Sequence, residues 1–403
     1  MPHRANLAVG SDPLRWLRSL LVLAPIASAL AAVLSSHSAG ALPLFARRYA
    51  VPCTQCHFAF PRLNTFGMAF RQNGYRMAGE KGSSPWQSRE FPLSAVVQIG
   101  YGYTSVDSAD SAGRRTRSAL ATFDQEALEI HSAGTLGPRI SHRVDANFDG
   151  AGGPLDAGMA FVQFDDVMRD GRLNIKVGIF DADIPYLADS RRVTLAEYLS
   201  PITLDGRGIE LNGVQRAWVY ALGVIDSERS HGKPGSRTLN QLENPYAWIM
   251  GDFAGQLVTA RVLLDRQDPR DTTQSAANHL QAELNAFFNC TRWIVIPGVT
   301  YEHFDQADLT QRDRRVTLLL EGHALLDKKR RVLATARYEL RHSPRFTFHG
   351  VPSLPEEDAT LEVGNLSYYV NPNLRVALEY SHAQDNHGGP RTDAAQLFVH
   401  LGY

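Results

Sequence analysis

From residue 91 onward the chain is written in twos. Val332, Ala334, Ala336, Tyr338 and Leu340 alternate with Arg331, Thr335, Arg337, Glu339 and Arg341. Leu280, Ala282, Leu284, Ala286 and Phe288 alternate with His279, Gln281, Glu283 and Asn285, and Val144, Ala146 and Phe148 with Arg143, Asp145, Asn147 and Asp149. Leu374, Val376, Leu378 and Tyr380 do the same against Arg375, Glu379 and Ser381. A period of two sends successive side chains to opposite faces of a strand, so each segment has one apolar and one polar face. About sixteen strands are predicted: 93–104, 122–133, 140–149, 157–167, 173–180, 207–211, 214–226, 246–253, 256–265, 277–289, 293–304, 314–326, 330–341, 358–370, 374–382 and 393–403.

The connections fall into two classes that alternate along the chain. Long ones include Ser105–Arg117, Asp181–Gly206, Ser227–Asn244, Arg266–Ala276, Ser343–Glu357 and Ala383–Thr392. Short ones include Asp170-Gly171, Asn212-Gly213, Ala254-Gly255, Asp327-Lys328-Lys329 and Asn371-Pro372-Asn373. A soluble sandwich has no reason to keep two loop classes on alternate connections. A membrane-spanning barrel does, with short turns on the periplasmic side and long loops outside. The expected fold class is therefore all-β: an antiparallel outer-membrane β-barrel of about 16 strands over residues 91–403. A mean hydropathy of -0.24 fits, because a barrel hides its apolar residues in alternation. The last strand places Leu397, Val399, Leu401 and Tyr403 on one face, and its terminal aromatic resembles the signal read by the outer-membrane barrel-assembly machinery. A formal charge of -1 points away from nucleic acid as a partner.

The N-terminus reads as a signal peptide over residues 1–41. Arg4, Arg15 and Arg18 form a basic region, Ser19–Leu34 an apolar one, and Ala39-Gly40-Ala41 a small-residue cleavage site.

Between signal and barrel, residues 42–90 carry Cys53-Thr54-Gln55-Cys56-His57. C-x-x-C-H is the attachment arrangement of a c-type haem. Each thiol forms a thioether to one vinyl group, and the adjacent imidazole supplies the proximal nitrogen to iron. The competing readings of the two cysteines are a redox dithiol and a structural disulfide. No thioredoxin-like unit surrounds the motif, and a disulfide across two residues is strained. The predicted cofactor is one covalent haem c, held by Cys53 and Cys56 with His57 as axial ligand. Candidates for the sixth position are Met68, Met77, or a side chain from elsewhere in the chain. Leu63, Phe66, Gly67 and Phe70 recur at helical spacing before Gly74, predicting a short α-helix with its aromatic edge on the haem. A segment of this size is marginal on its own. Folding it into the lumen as a plug would shelter the porphyrin and close the channel together. Cys290 has no evident partner and reads as a turn or core thiol.

These features together resemble a known family. An exported leader, one Cys-x-x-Cys-His and a barrel, with Pro61, Leu63, Asn64, Phe66, Gly67, Phe70, Asn73, Gly74 and Tyr75 following the motif, are similar to the fused monohaem cytochrome–porins of iron-oxidising bacteria. The motif covers residues 53–75, and the barrel matches in architecture alone. The resemblance implies an outer-membrane conduit that takes single electrons from extracellular Fe(II) and passes them to a periplasmic c-type cytochrome or other carrier, hence an Fe(II):cytochrome oxidoreductase. Two oxygen-rich loop clusters are candidates for attracting Fe(II): Asp181, Asp183 and Asp189, and Glu302, His303, Asp305 and Asp308. The alternatives are a porin whose haem gates without net electron flow, and a haem enzyme with an open distal position.

Overall fold

The computed structural model describes residues 44–84, 92–109, 114–148, 156–168, 171–182, 192–200, 205–227, 244–267, 277–306, 312–343, 347–348, 351–352, 358–385 and 389–402. The signal-peptide reading lies outside them, as do Asp183, Asp189 and Asp308. No helix among the described residues is long and apolar enough to cross a membrane.

The N-terminal segment comes first: helix α1 (Leu44–Tyr49), a 3-10 turn (Cys53–Gln55), a small antiparallel pair β1 (His57–Ala59) and β2 (Arg62–Leu63), and helix α2 (Thr65–Gln72). The barrel strands follow: β3 (Leu93–Ala109), β4 (Arg115–Gly137), β5 (Ile140–Phe148), β6 (Asp156–Met168), β7 (Leu173–Asp181), β8 (Asp205–Gln215), β9 (Trp218–Ser227), β10 (Asn244–Phe253), β11 (Gln256–Gln267), β12 (Ala277–Asn289), β13 (Trp293–Gln306), β14 (Arg312–Leu325) and β15 (Val332–His342). A two-stranded excursion, β16 (Thr347–Phe348) and β17 (Val351–Pro352), precedes β18 (Ala359–Asn371), β19 (Leu374–Asp385) and β20 (Arg391–Gly402). Sixteen of these close into one antiparallel barrel, each strand paired with its sequence neighbour. The seam is β20 on β3, from Arg391 opposite Asp107 to Gly402 opposite Val96.

The burial pattern is inside out relative to a soluble protein. Along β12, Gln281, Glu283 and Asn285 are buried while Leu284 and Phe288 are half exposed. Along β14, Thr317, Glu321 and His323 are buried while Leu318 and Leu320 face outward, and on β15 Arg337 and Glu339 are covered while Tyr338 is not. A lipid-facing barrel needs this arrangement, an apolar exterior around a polar interior. The closed ladder also leaves no unpaired strand edge.

Three details differ from the sequence reading. The turn between β8 and β9 lies at Arg216–Ala217, not at Asn212-Gly213. Asn212 instead points inward, bonded to Gln163 and Glu210 at 3.0 and 2.9 Å, and a Cβ on Gly213 would lie 2.3 Å from the Arg172 carbonyl. An Asn-Gly pair is here a lumen anchor and a close approach rather than a hairpin tip. Strands β3 and β4 run on to Ala109 and from Arg115, so most of the expected Ser105–Arg117 loop is ladder. β15 starts at Val332, because Asp327 ties up the turn by accepting from the backbone N–H groups of Arg331 and Val332 at 2.6 and 2.8 Å.

Strand direction puts the short turns at one end and the long loops at the other. The chain enters β3 and leaves β20 at the short-turn end. Residues 42–403 form one compact unit. The N-terminal segment enters from the short-turn end and lodges inside the barrel. Gln163 and Asn174 donate to the Gln72 carbonyl at 3.1 and 3.0 Å, and Tyr369 donates to the Phe60 carbonyl at 2.8 Å. Arg76 pairs with Asp166 at 3.0 Å, and Arg62 pairs with Glu321, with both arginines and Glu321 fully buried. Met68, Phe70, Tyr75 and Phe58 are buried at the centre. Each such apolar side chain contributes about 1.5–3 kcal/mol on full burial, most of which a free segment of this length could not obtain.

Candidate functional site

The Cys53–His57 motif is held from both sides by its own segment. Cys53–Gln55 makes one 3-10 turn, and the Cys56 N–H returns to the Cys53 carbonyl at 3.1 Å. Asn64 locks this loop to α2. Its side-chain oxygen caps the helix by accepting from Gly67 N–H at 2.9 Å, while its amide donates to the Gln55 carbonyl at 3.0 Å. Gly67 has to lack a side chain, since a Cβ there would lie 2.2 Å from the Cys56 carbonyl oxygen. Gly74 lies just past the helix end with φ +68, packed against Asp165 and Ser141 of the barrel. The residues that follow the motif thus dock the helix on the C-x-x-C-H loop and the loop in the barrel.

His57 Nδ1–H donates to the Pro61 carbonyl at 3.1 Å. That bond fixes the tautomer and leaves Nε2 with its lone pair, the form a metal needs. Burial holds the imidazole pKa down to about 4, against the small opposing pull of the backbone carbonyl, so the ring is neutral at ordinary pH. Burial pushes the Cys53 and Cys56 thiols up. Both cysteines are free thiols, as is exposed Cys290 in the β12–β13 turn.

Cys53, Cys56 and His57 border a single cavity of about 430 Å3. Its apolar wall includes Phe45, Phe60, Leu63, Phe70 and Phe398, and barrel strands add Glu129, His131, Arg143, Arg375 and His400. The size suits a large flat ligand, with apolar faces and a few polar groups. The donor set suits haem c: two thiols three positions apart, a neutral imidazole beside them, aromatic walls, and guanidinium groups able to face porphyrin carboxylates. Met68 is fully buried and Met77 lines a second cavity at the short-turn mouth, and neither borders this one. Phe70 lines the cavity as expected, whereas Phe66 turns to the second.

The far wall was not foreseen. Residues 192–200, part of the connection between β7 and β8, fold into the lumen, and Arg192, Val193, Thr194 and Leu195 close the cavity. Arg337 donates to Thr194 Oγ1 at 3.0 Å and to the Ala196 and Glu197 carbonyls at 2.7 and 2.8 Å. Glu379 accepts from the N–H groups of Leu195 and Ala196 at 2.9 and 2.7 Å, and Glu339 from Leu199 N–H at 2.8 Å. Loop and N-terminal segment meet at Glu321, which accepts from both Arg62 and Tyr198. The signal in the sequence was a row of charges at lumen positions of β14, β15 and β19, which marks a polar lumen without saying what fills it.

Of the two loop clusters, Asp183, Asp189 and Asp308 lie outside the described residues. Glu302 is buried and bonded to Ser200 at 2.7 Å, so it anchors the inserted loop. No group of three His, Cys, Asp or Glu side chains placed to hold a metal ion occurs among the described residues.

No protein-family model matches the chain, and no curated protein matches it in sequence. Solved structures do resemble it in fold. The outer-membrane channel DcaP of Acinetobacter baumannii aligns at TM-score 0.57 and 12% identity, over 77% of this chain and 97% of that one. OmpT, an outer membrane protein of Vibrio cholerae, aligns at 0.56 and 10% identity, over 77% and 97%. An anion-selective porin from Comamonas acidovorans aligns at 0.55 and 9% identity, over 77% and 98%. At these identities the likeness is one of fold, a closed barrel of the outer-membrane porin type.

Proposed function

We propose that the chain is an outer-membrane cytochrome–porin that carries single electrons through a covalently bound haem c lodged in its lumen. The observation that carries this reading is the placement of Cys53, Cys56 and His57 on one lumen cavity, closed by the inserted loop 192–200. Bound haem supplies a one-electron ferrous–ferric couple. The chain supplies the rest. Cys53 and Cys56 hold the group by two thioethers, and His57 Nε2, freed by the Nδ1 bond to Pro61, supplies the proximal nitrogen. Arg143, itself paired with Asp145 at 2.7 Å, and Arg375 would bring positive charge to the cavity wall against the haem's carboxylates. Phe45, Phe60 and Phe398 would keep water from the bound group.

The outer membrane is the proposed location, supported by the apolar exterior and the porin-type fold. The haem segment starts on the periplasmic side. The resemblance of residues 53–75 supports extracellular Fe(II) as donor and a periplasmic c-type cytochrome as acceptor. A porin gated by its haem is the second reading, and it needs an open lumen. The junction of Arg62, Tyr198 and Glu321 argues against one.

Two measurements on detergent-purified protein test the proposal. Fe(II) at micromolar concentration should reduce the haem, and planar bilayers should show little conductance. Reduction by dithionite but not Fe(II) would remove iron as donor. A steady large pore with no redox response would favour transport.

A further inference from the structure

The cavity holds a second imidazole. His400 lies on the inner face of β20, directly across the strand pair from Arg375, and lines the same cavity as Cys53, Cys56 and His57. It is 9% exposed, and its Nε2 is buried with no hydrogen-bond partner. A buried imidazole nitrogen left without a partner costs free energy, unless the native holoprotein gives it one. Phe60 touches both rings, with centroids 5.4 Å from His57 and 5.0 Å from His400, so the imidazoles stand no farther apart than those two legs together.

Among the described residues, the other side chains at the cavity are less suited to ligate iron. His131 sits between two carboxylates, Nε2 at 3.2 Å from Glu129 and Nδ1 at 3.0 Å from Asp145. The Tyr75 hydroxyl is also buried without a partner, but a phenol ligates iron only after losing its proton, whereas a neutral imidazole needs no such loss. No methionine lines the cavity.

We propose that His400 Nε2 is the second axial ligand of the haem iron, opposite His57. This rests on the covalent-haem reading. It makes the last barrel strand part of the redox centre: the segment brings one ligand and the barrel wall the other, so the six-coordinate site forms only when the segment is seated. Both positions are then filled, as electron transfer without exchange of iron ligands requires, and a potential lower than a His/Met pair would give follows from the second imidazole.

The test is the spin state and ligand binding of the full-length holoprotein. Wild type should be low-spin in both oxidation states and should not bind carbon monoxide. His400→Ala, with haem still covalently attached by denaturing gel and haem stain, should become high-spin and bind carbon monoxide, and added imidazole should restore the low-spin spectrum. His400→Met should stay six-coordinate with a raised potential. His131→Ala should remain low-spin. A His400→Ala holoprotein that stays low-spin without added ligand, or conversion by His131→Ala instead, overturns the assignment while leaving the covalent haem in place. Absence of covalent haem from wild type overturns both readings.

Discussion

Glu321 is where barrel wall, haem segment and inserted loop meet, so its removal should loosen the plug more than any other single lumen change. Arg62 and Glu321 are each 1% exposed, and Glu321 also accepts from Tyr198 at 3.1 Å. Removing one partner of a buried pair costs about 3–5 kcal/mol, because the other charge stays buried without compensation. Glu321→Gln should fall at the low end of that range. Arg62 keeps the Tyr198 oxygen at 3.5 Å, and Arg337 keeps Glu339 at 3.0 Å. A loss of about 3 kcal/mol lowers the ratio of seated to unseated segment by roughly 100-fold. Single-channel recording should then show open events far more often than in wild type, and limited proteolysis should cut residues 44–84 faster with the barrel strands intact. The double variant Arg62→Met/Glu321→Met should recover most of the lost seating, since apolar replacement of a buried pair is often neutral or better. Unchanged conductance and cleavage in Glu321→Gln, or a double variant worse than the single, would refute the view that this pair seats the plug.

Other consequences are as direct. Gly67→Ala puts a methyl 2.2 Å from the Cys56 carbonyl and should destabilise the motif loop by about 1–3 kcal/mol, lowering holoprotein yield on a haem-stained gel without loss of barrel. Cys53→Ser and Cys56→Ser should each leave one thioether at most, and the double variant should lose its haem to acid acetone. Glu379→Gln should loosen the clamp on Leu195 and Ala196 and raise bilayer conductance, with haem content unchanged. The pH response of His57 has a fixed sign. Its folded pKa of about 4 lies below the unfolded value of about 6.5, so the unfolded chain binds more protons between them. The contribution to segment stability is complete above pH 6.5 and is lost as pH falls toward 4. Limited proteolysis of the haem-free protein should cut residues 44–84 faster as pH falls from 6.5 toward 4, and a rate unchanged over that range would contradict it.

The barrel was legible because alternation is a physical requirement of a wall with lipid on one side and charge on the other. β12, β14, β15 and β19 announce their faces residue by residue. The C-x-x-C-H pattern stands out because haem attachment, the chemistry proposed for it, tolerates little variation in spacing. The β8–β9 turn was misread because Asn-Gly satisfies a hairpin and an inward-facing anchor equally well in one dimension. The inserted loop and His400 were hidden for a related reason. Arg337, Glu339 and Glu379 declare that something polar faces them, but not that residues 194–199 supply it from well over a hundred positions away. His400 is one histidine on a terminal strand until closure of β20 on β3 carries it to the cavity.

Anomalous diffraction at the iron edge from crystals of the holoprotein tests the central claim most directly. One iron peak per chain is expected inside the barrel, bonded to His57 Nε2 and bounded by Phe60 and residues 192–195. No iron, or an iron outside the ring of sixteen strands, would contradict a lumen-held redox centre.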